Sequence, residues 1–152
     1  MKAKKITRDE LFKLKDKYIF HGSSKLFDKA KPQQAKCVTK NPLNEQVAVY
    51  GAKDLRFAII FAFEKLPKSN FSWAAVNCDG QYFAELKNGT YIDEKAKGFL
   101  YCFDKSKFQE TKEGSNQYVC YETIEPEVIF EIEYKDYKDL FIQIENNIEI
   151  KM

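Results

Sequence analysis

Tyr18-Ile19-Phe20-His21-Gly22-Ser23-Ser24 carries the only histidine of the 152-residue chain. Three apolar or aromatic residues run straight into a histidine and a glycine. This is the pattern of a buried β-strand that ends in a tight, exposed turn, where Gly22, lacking a side chain, lets a ligand approach the backbone. A histidine at a strand end is also an ordinary structural residue. The stretch therefore gains meaning from two others, around Tyr50 and around Asn116-Gln117.

On the N-terminal side, Thr7 and Glu10 have the spacing of a capping box, and Ile6 is placed to staple against Leu11. A short helix ending near Asp16 follows, with Leu11, Phe12 and Leu14 packed beside the first strand. On the C-terminal side, Lys25 to Asn44 holds Pro32 and Pro42 and reads as a long loop. Val47 to Gly51 reads as a strand. Asp54 then N-caps a helix whose Leu55, Ala58, Ile59, Ala62 and Phe63 fall at helical spacing, and Leu66-Pro67 stops it.

The second half changes character. Ser72 to Cys78 and Gln81 to Leu86 flank Asp79-Gly80 as a hairpin, and Asn88-Gly89 signals a further type I′ turn before Thr90-Tyr91-Ile92. Phe99 to Phe103, Tyr118 to Tyr121 and Val128 to Ile132 are strands, Lys112 to Ser115 is a loop, and Phe141 to Ile150 holds one or two more strands. The expected fold is α+β: mostly antiparallel strands with a few short helices, in one domain over residues 1–152, of which 1–17 form a short N-terminal helix.

Composition narrows the function classes. Twenty-five basic and 23 acidic residues leave a net charge of +2, which predicts neither a nucleic-acid footprint nor a membrane surface. Lys2, Lys4, Lys5 and Arg8 form a basic start without an apolar stretch behind it, so no signal peptide is expected. No apolar run reaches membrane-spanning length. Cys37, Cys78, Cys102 and Cys120 never form a C-x-x-C pair, and with one histidine a metal site is not expected. They read as reduced thiols of a cytoplasmic protein, with Cys102 and Cys120 in the core. No P-loop occurs, and His21 has no nucleophile elbow near it.

Three pieces of the chain, in order, resemble the ADP-ribosyltransferase superfamily, in the branch of poly(ADP-ribose) polymerases and diphtheria toxin. Phe20-His21-Gly22-Ser23 is similar to its first-strand H-G-S motif. Val49-Tyr50-Gly51-Ala52 is similar to its G-I-Y-F-A strand, which enters a helix bearing another aromatic eleven residues on; Phe61 stands at that place. Asn116-Gln117-Tyr118-Val119-Cys120-Tyr121-Glu122 resembles its N-E-Y-I-V-Y-D strand.

The resemblance implies an ADP-ribosyltransferase-like fold of split sheets with an NAD cleft between them. It implies that His21 bonds a ribose hydroxyl, that the Gly22 backbone pairs with the nicotinamide carboxamide, and that Ser23 adds a hydroxyl. Tyr50 and Phe61 would sandwich the nicotinamide ring, a cation between aromatics worth roughly 1–2 kcal/mol per face when desolvated. His21, Tyr50 and Gln117 occupy the catalytic triad positions. The family's glutamate is Gln117 here, and its serine three residues before the helix aromatic is Ala58. The glutamate steadies positive charge developing on the ribose, on the order of 3–4 kcal/mol, and Gln117 brings no charge. Glu113, Glu122 and Glu45 are candidate substitutes, although strand alternation turns Glu122 to the other side from Gln117; each is equally an ordinary solvated carboxylate.

Three functions follow as expectations. One is a mono-ADP-ribosyltransferase that uses NAD as substrate and modifies a protein or nucleic-acid acceptor. Another is a non-catalytic module for NAD or ADP-ribose. The third is a protein-interaction domain without nucleotide, using strands such as Phe141 to Ile150.

Overall fold

The structure, a computed structural model, describes residues 2–27, 33–34, 47–111 and 116–144. Glu45, Glu113, Cys37, the loop expected at 112–115, most of the loop expected at 25–44 and the last eight residues lie outside them. The order is β1 (Lys4–Lys5), α1 (Arg8–Phe12), β2 (Tyr18–Ser23), β3 (Gln33–Gln34), β4 (Val47–Ala52), α2 (Leu55–Phe61), β5 (Ser72–Cys78), β6 (Gln81–Lys87), β7 (Lys97–Asp104), β8 (Gln109–Glu110), β9 (Gln117–Cys120), β10 (Val128–Glu133) and β11 (Phe141–Gln143). The fold is α+β and mostly strand, as the apolar and aromatic runs between turn signals in the second half led one to expect.

The strands form two sheets. An eight-stranded sheet runs β1-β10-β7-β2-β4-β9-β8, with β3 paired to β4, and a three-stranded sheet runs β11-β6-β5. β1 on β10 and β11 on β6 are parallel; the other pairs are antiparallel. Helix α2 packs against β2 of the large sheet and β6 of the small one. Phe20, Leu100, Cys102 and Phe130 meet Leu55, Ala58, Ile59 and Phe63 in the core on that side. Val49, Tyr101, Phe103, Cys120 and Ile129 form a second core on the opposite face.

Local chemistry explains several boundaries. Thr7 and Glu10 form the reciprocal capping box. Helix α1 nevertheless stops at Phe12 rather than near Asp16. Leu14, Lys15 and Lys17 donate to carbonyls three residues back, so the chain tightens into turns. Asp54 caps α2 through the Phe57 amide at 3.0 Å. The hairpin turn Asp79-Gly80 and the turn Asn88-Gly89 adopt positive φ at both residues, the conformation these dipeptides favour.

Two further expectations change. Thr90-Tyr91-Ile92 is not a strand. Thr90 is fully buried, its hydroxyl accepts from the Ser72 amide at 2.7 Å, and Tyr91 makes only an isolated bridge with Leu66. His21 and Gly22 do not form a turn either. They lie inside β2, paired with Tyr101 and Leu100.

Candidate functional site

The strands that carry the three sequence motifs are consecutive neighbours in the large sheet, β2-β4-β9. β2 is laddered to β7 along its whole length, from Tyr18↔Asp104 to Ser23↔Phe99. Its register with β4 is the single pair Phe20↔Ala52. Next to that pair, the imidazole of His21 bridges the two strands, with Nδ1 2.9 Å from the Tyr50 carbonyl oxygen.

That contact fixes the ring's chemistry. A carbonyl only accepts, so Nδ1 carries the hydrogen and donates it. The neutral ring then offers Nε2 as a lone-pair acceptor. Burial lowers the His21 pKa from its ordinary value, with the Tyr50 carbonyl pulling more weakly the other way. At neutral pH the ring is therefore uncharged. Tyr101 and Phe27 flank it edge-on at 6.0 and 6.1 Å and stack on each other at 4.0 Å. The Tyr101 hydroxyl donates to the Lys25 carbonyl at 2.6 Å and accepts from the Phe27 amide at 2.7 Å, which ties the chain after β2 over this face.

Paired residues share a face of a sheet and successive residues alternate. His21 is paired with Tyr101 and lies with the second core. Phe20 and Ala52 lie on the α2 face, and with them Gly22, Tyr50 and Gln117, the last paired with Ala52. The structure thus places the three triad strands side by side and sends His21 to one face and Tyr50 and Gln117 to the other.

Gly22 has a structural account of its own. A Cβ there would lie 2.0 Å from the Ala58 carbonyl oxygen and 3.0 Å from the Ala62 nitrogen. Gly98 on β7 does the same for Ala62, whose oxygen would be 2.3 Å away. Two glycines and two alanines thus form the seam along which α2 docks. Ser23 accepts from the Lys25 amide at 3.1 Å. The Gln117 carbonyl accepts from the Thr111 amide at 3.1 Å.

Asn116 links the third motif to the helix. Its side-chain oxygen accepts from the Asp54 amide at 2.7 Å, and its carbonyl accepts from the Lys53 amide at 3.2 Å. Its side-chain nitrogen is buried with no partner among the described residues. Glu122 lies beyond the end of β9, exposed, so strand alternation does not govern it. Glu110 is paired with Tyr118 on β8 and so faces away from Gln117.

Phe61, the aromatic that the resemblance places against the nicotinamide ring, is 42 % exposed. Its ring meets Phe57 and Trp73, each at 4.8 Å. With Trp73, Phe71, Lys65, Lys68 and Ser24 it lines a cleft of about 400 Å³ that contains neither His21 nor Tyr50. Sequence reasoning missed Lys65, which is only 7 % exposed. Nothing in Glu64-Lys65-Leu66-Pro67 distinguishes it from a solvated lysine at a helix stop.

No protein-family model matches the chain, and no curated protein and no solved structure matches it significantly. Among the described residues, no group of His, Cys, Asp and Glu side chains is arranged to hold a metal ion, and no helix is long and apolar enough to cross a membrane.

Proposed function

We propose that the chain is an ADP-ribosyltransferase-like protein that binds NAD or ADP-ribose beside the junction of β2 and β4. The observation that carries this reading is the contact between His21 and the Tyr50 carbonyl. It joins the first two motifs at the place where their strands share only one residue pair, and it leaves a neutral imidazole with an acceptor nitrogen. A ribose hydroxyl donates to such a nitrogen. Gln117 lies one strand further along, on β9 beside β4, on the opposite face from His21.

Binding without efficient turnover is the favoured form of this function. Gln117 supplies an amide where cleavage of the glycosidic bond calls for a negative charge. Ala58, buried against Gly22, offers no hydroxyl. The single-domain architecture, the ADP-ribosyltransferase-like fold and a macromolecular acceptor belong to the same proposal.

Calorimetry with ADP-ribose and with NAD tests it. Saturable binding is expected, weakened about tenfold by His21→Ala, the worth of one hydrogen bond. Nicotinamide release from NAD is expected to be slow and to rise on the order of 10²-fold in Gln117→Glu, the effect of restoring one transition-state charge. Absence of binding of both nucleotides at millimolar concentration refutes the proposal. Rapid nicotinamide release by the unaltered chain instead establishes the mono-ADP-ribosyltransferase.

A further inference from the structure

Lys65 combines three features that rarely meet in a solvated lysine. It is 7 % exposed in a chain whose other charges are mostly at the surface. Its Nζ lies 4.0 Å from the Trp73 ring centroid and 5.7 Å from that of Phe61, and it donates to the Ile60 carbonyl. It also has no carboxylate partner among the described residues, because the one acid lining the cleft, Glu64, pairs with Lys68 at 3.6 Å. Burying an unpaired ammonium is costly. The carbonyl and the two rings favour the charged form, yet burial prevails and pushes the amine down to about 7.

Lys65 also borders usable space. Lys65 lines the cleft of about 400 Å³ walled by Phe61, Phe71 and Trp73, a volume within the range of small-molecule sites. Phe71 is 50 % exposed at its rim. An aromatic wall beside an amine that is partly neutral at pH 7 suits a flat, weakly polar electrophile.

We infer that Lys65 is the nucleophile of a covalent site for aromatic aldehydes, holding them as an imine within the Phe61–Phe71–Trp73 cleft. The amine lone pair attacks the carbonyl carbon and a C–N bond forms. The carbonyl oxygen leaves as water with the two amine protons, and the C=N bond completes the adduct without oxidation or reduction. Desolvated lysines act as nucleophiles in this way because a useful fraction is neutral at working pH. The inference is independent of nucleotide binding beside the β2–β4 junction, and its test contains no nucleotide.

Incubation of the full chain with salicylaldehyde at pH 7, trapping with borohydride and peptide mapping by mass spectrometry reads the site directly. Lys65 is expected to be trapped at least about tenfold faster than exposed lysines, whose amines are almost wholly protonated at that pH. Lys65→Arg is expected to abolish the preferred adduct while leaving slow labelling elsewhere, and Trp73→Ala to reduce the selectivity. Glu64 and Lys68 are the charged groups facing the cleft, so Glu64→Gln is expected to leave Lys65 the preferred site. Labelling spread over surface lysines with Lys65 unmodified overturns the inference. Should the variants not fold, the map of the unaltered chain alone decides.

Discussion

Replacing Gly22 by alanine tests why that residue is a glycine. The added Cβ would sit 2.0 Å from the Ala58 oxygen and 3.0 Å from the Ala58 carbon and the Ala62 nitrogen. These are backbone atoms of α2 and its cap, so no side chain can swing aside. Restoring an ordinary contact of 3.4 Å requires α2 to move by roughly 1.4 Å, against the buried packing of Leu55, Ala58, Ile59 and Ile60. Overpacking of this kind costs about 3 kcal/mol, the upper end of its usual range. With a urea m-value of about 2 kcal/mol/M, the denaturation midpoint should fall by about 1.5 M. Gly98→Ala should behave similarly, because the Ala62 oxygen would lie 2.3 Å away. Gly80→Ala meets no atom within 4 Å and pays only for its φ of +85°, about 1 kcal/mol. A Gly22→Ala midpoint within about 0.3 M of the unaltered chain would refute the docking seam and return Gly22 to a role in ligand approach alone.

Lys65 keeps an ordinary value near 10.5 when unfolded and about 7 when folded. Between those limits the unfolded chain binds more protons, so stability rises with pH by up to about 1.4 kcal/mol per unit. Subtracting denaturation curves of Lys65→Met from those of the unaltered chain at pH 6 to 10 should isolate that slope, and a flat difference contradicts the burial. The single imidazole should titrate below 6.5 and show nitrogen shifts of the Nδ1–H tautomer in a long-range proton–nitrogen spectrum. Because protonating it disfavours the folded state, its contribution to stability is whole above pH 6.5 and is lost as pH falls below that value. Arg8 grips Asp139 through two contacts of 2.5 and 2.8 Å, but Asp139 is more than half exposed. Arg8→Ala is therefore expected to cost only about 0.5–1 kcal/mol in urea denaturation, and a loss several times larger would show that the pair closes the two ends of the chain.

What was legible in the sequence is what local chemistry decides. Thr7 and Glu10 announced their cap, and Asp79-Gly80 and Asn88-Gly89 their turns, because few residue pairs satisfy those geometries. Most strands from Val47 onward were legible as short apolar and aromatic runs bounded by turn residues, whereas Gln109–Glu110 was not. What was hidden depends on partners distant in sequence. A glycine signals a turn, a ligand contact or a helix contact alike, and only the position of α2 decides for Gly22. Thr90-Tyr91-Ile92 has strand composition, yet Thr90 spends its hydroxyl on Ser72, eighteen residues earlier. Lys65 looked solvated because burial of a single lysine leaves no periodic trace. The neighbouring order of β2, β4 and β9 arises from long-range pairing that no local pattern encodes.

The two faces of the sheet impose a condition on any dinucleotide. His21 lies with Tyr101 on one face, whereas Gln117 and α2 occupy the other. A ligand that touches both cannot lie flat on either surface. It has to cross the sheet at the place where β2 and β4 share only the pair Phe20↔Ala52, beside the His21 bridge. The half of the ligand bonded to His21 Nε2 is then separated by the strands from the half that meets Gln117. On the proposed function, affinity and bond cleavage belong to different faces. A chain with glutamine at the third position would then bind through His21 and still lack the charge to react.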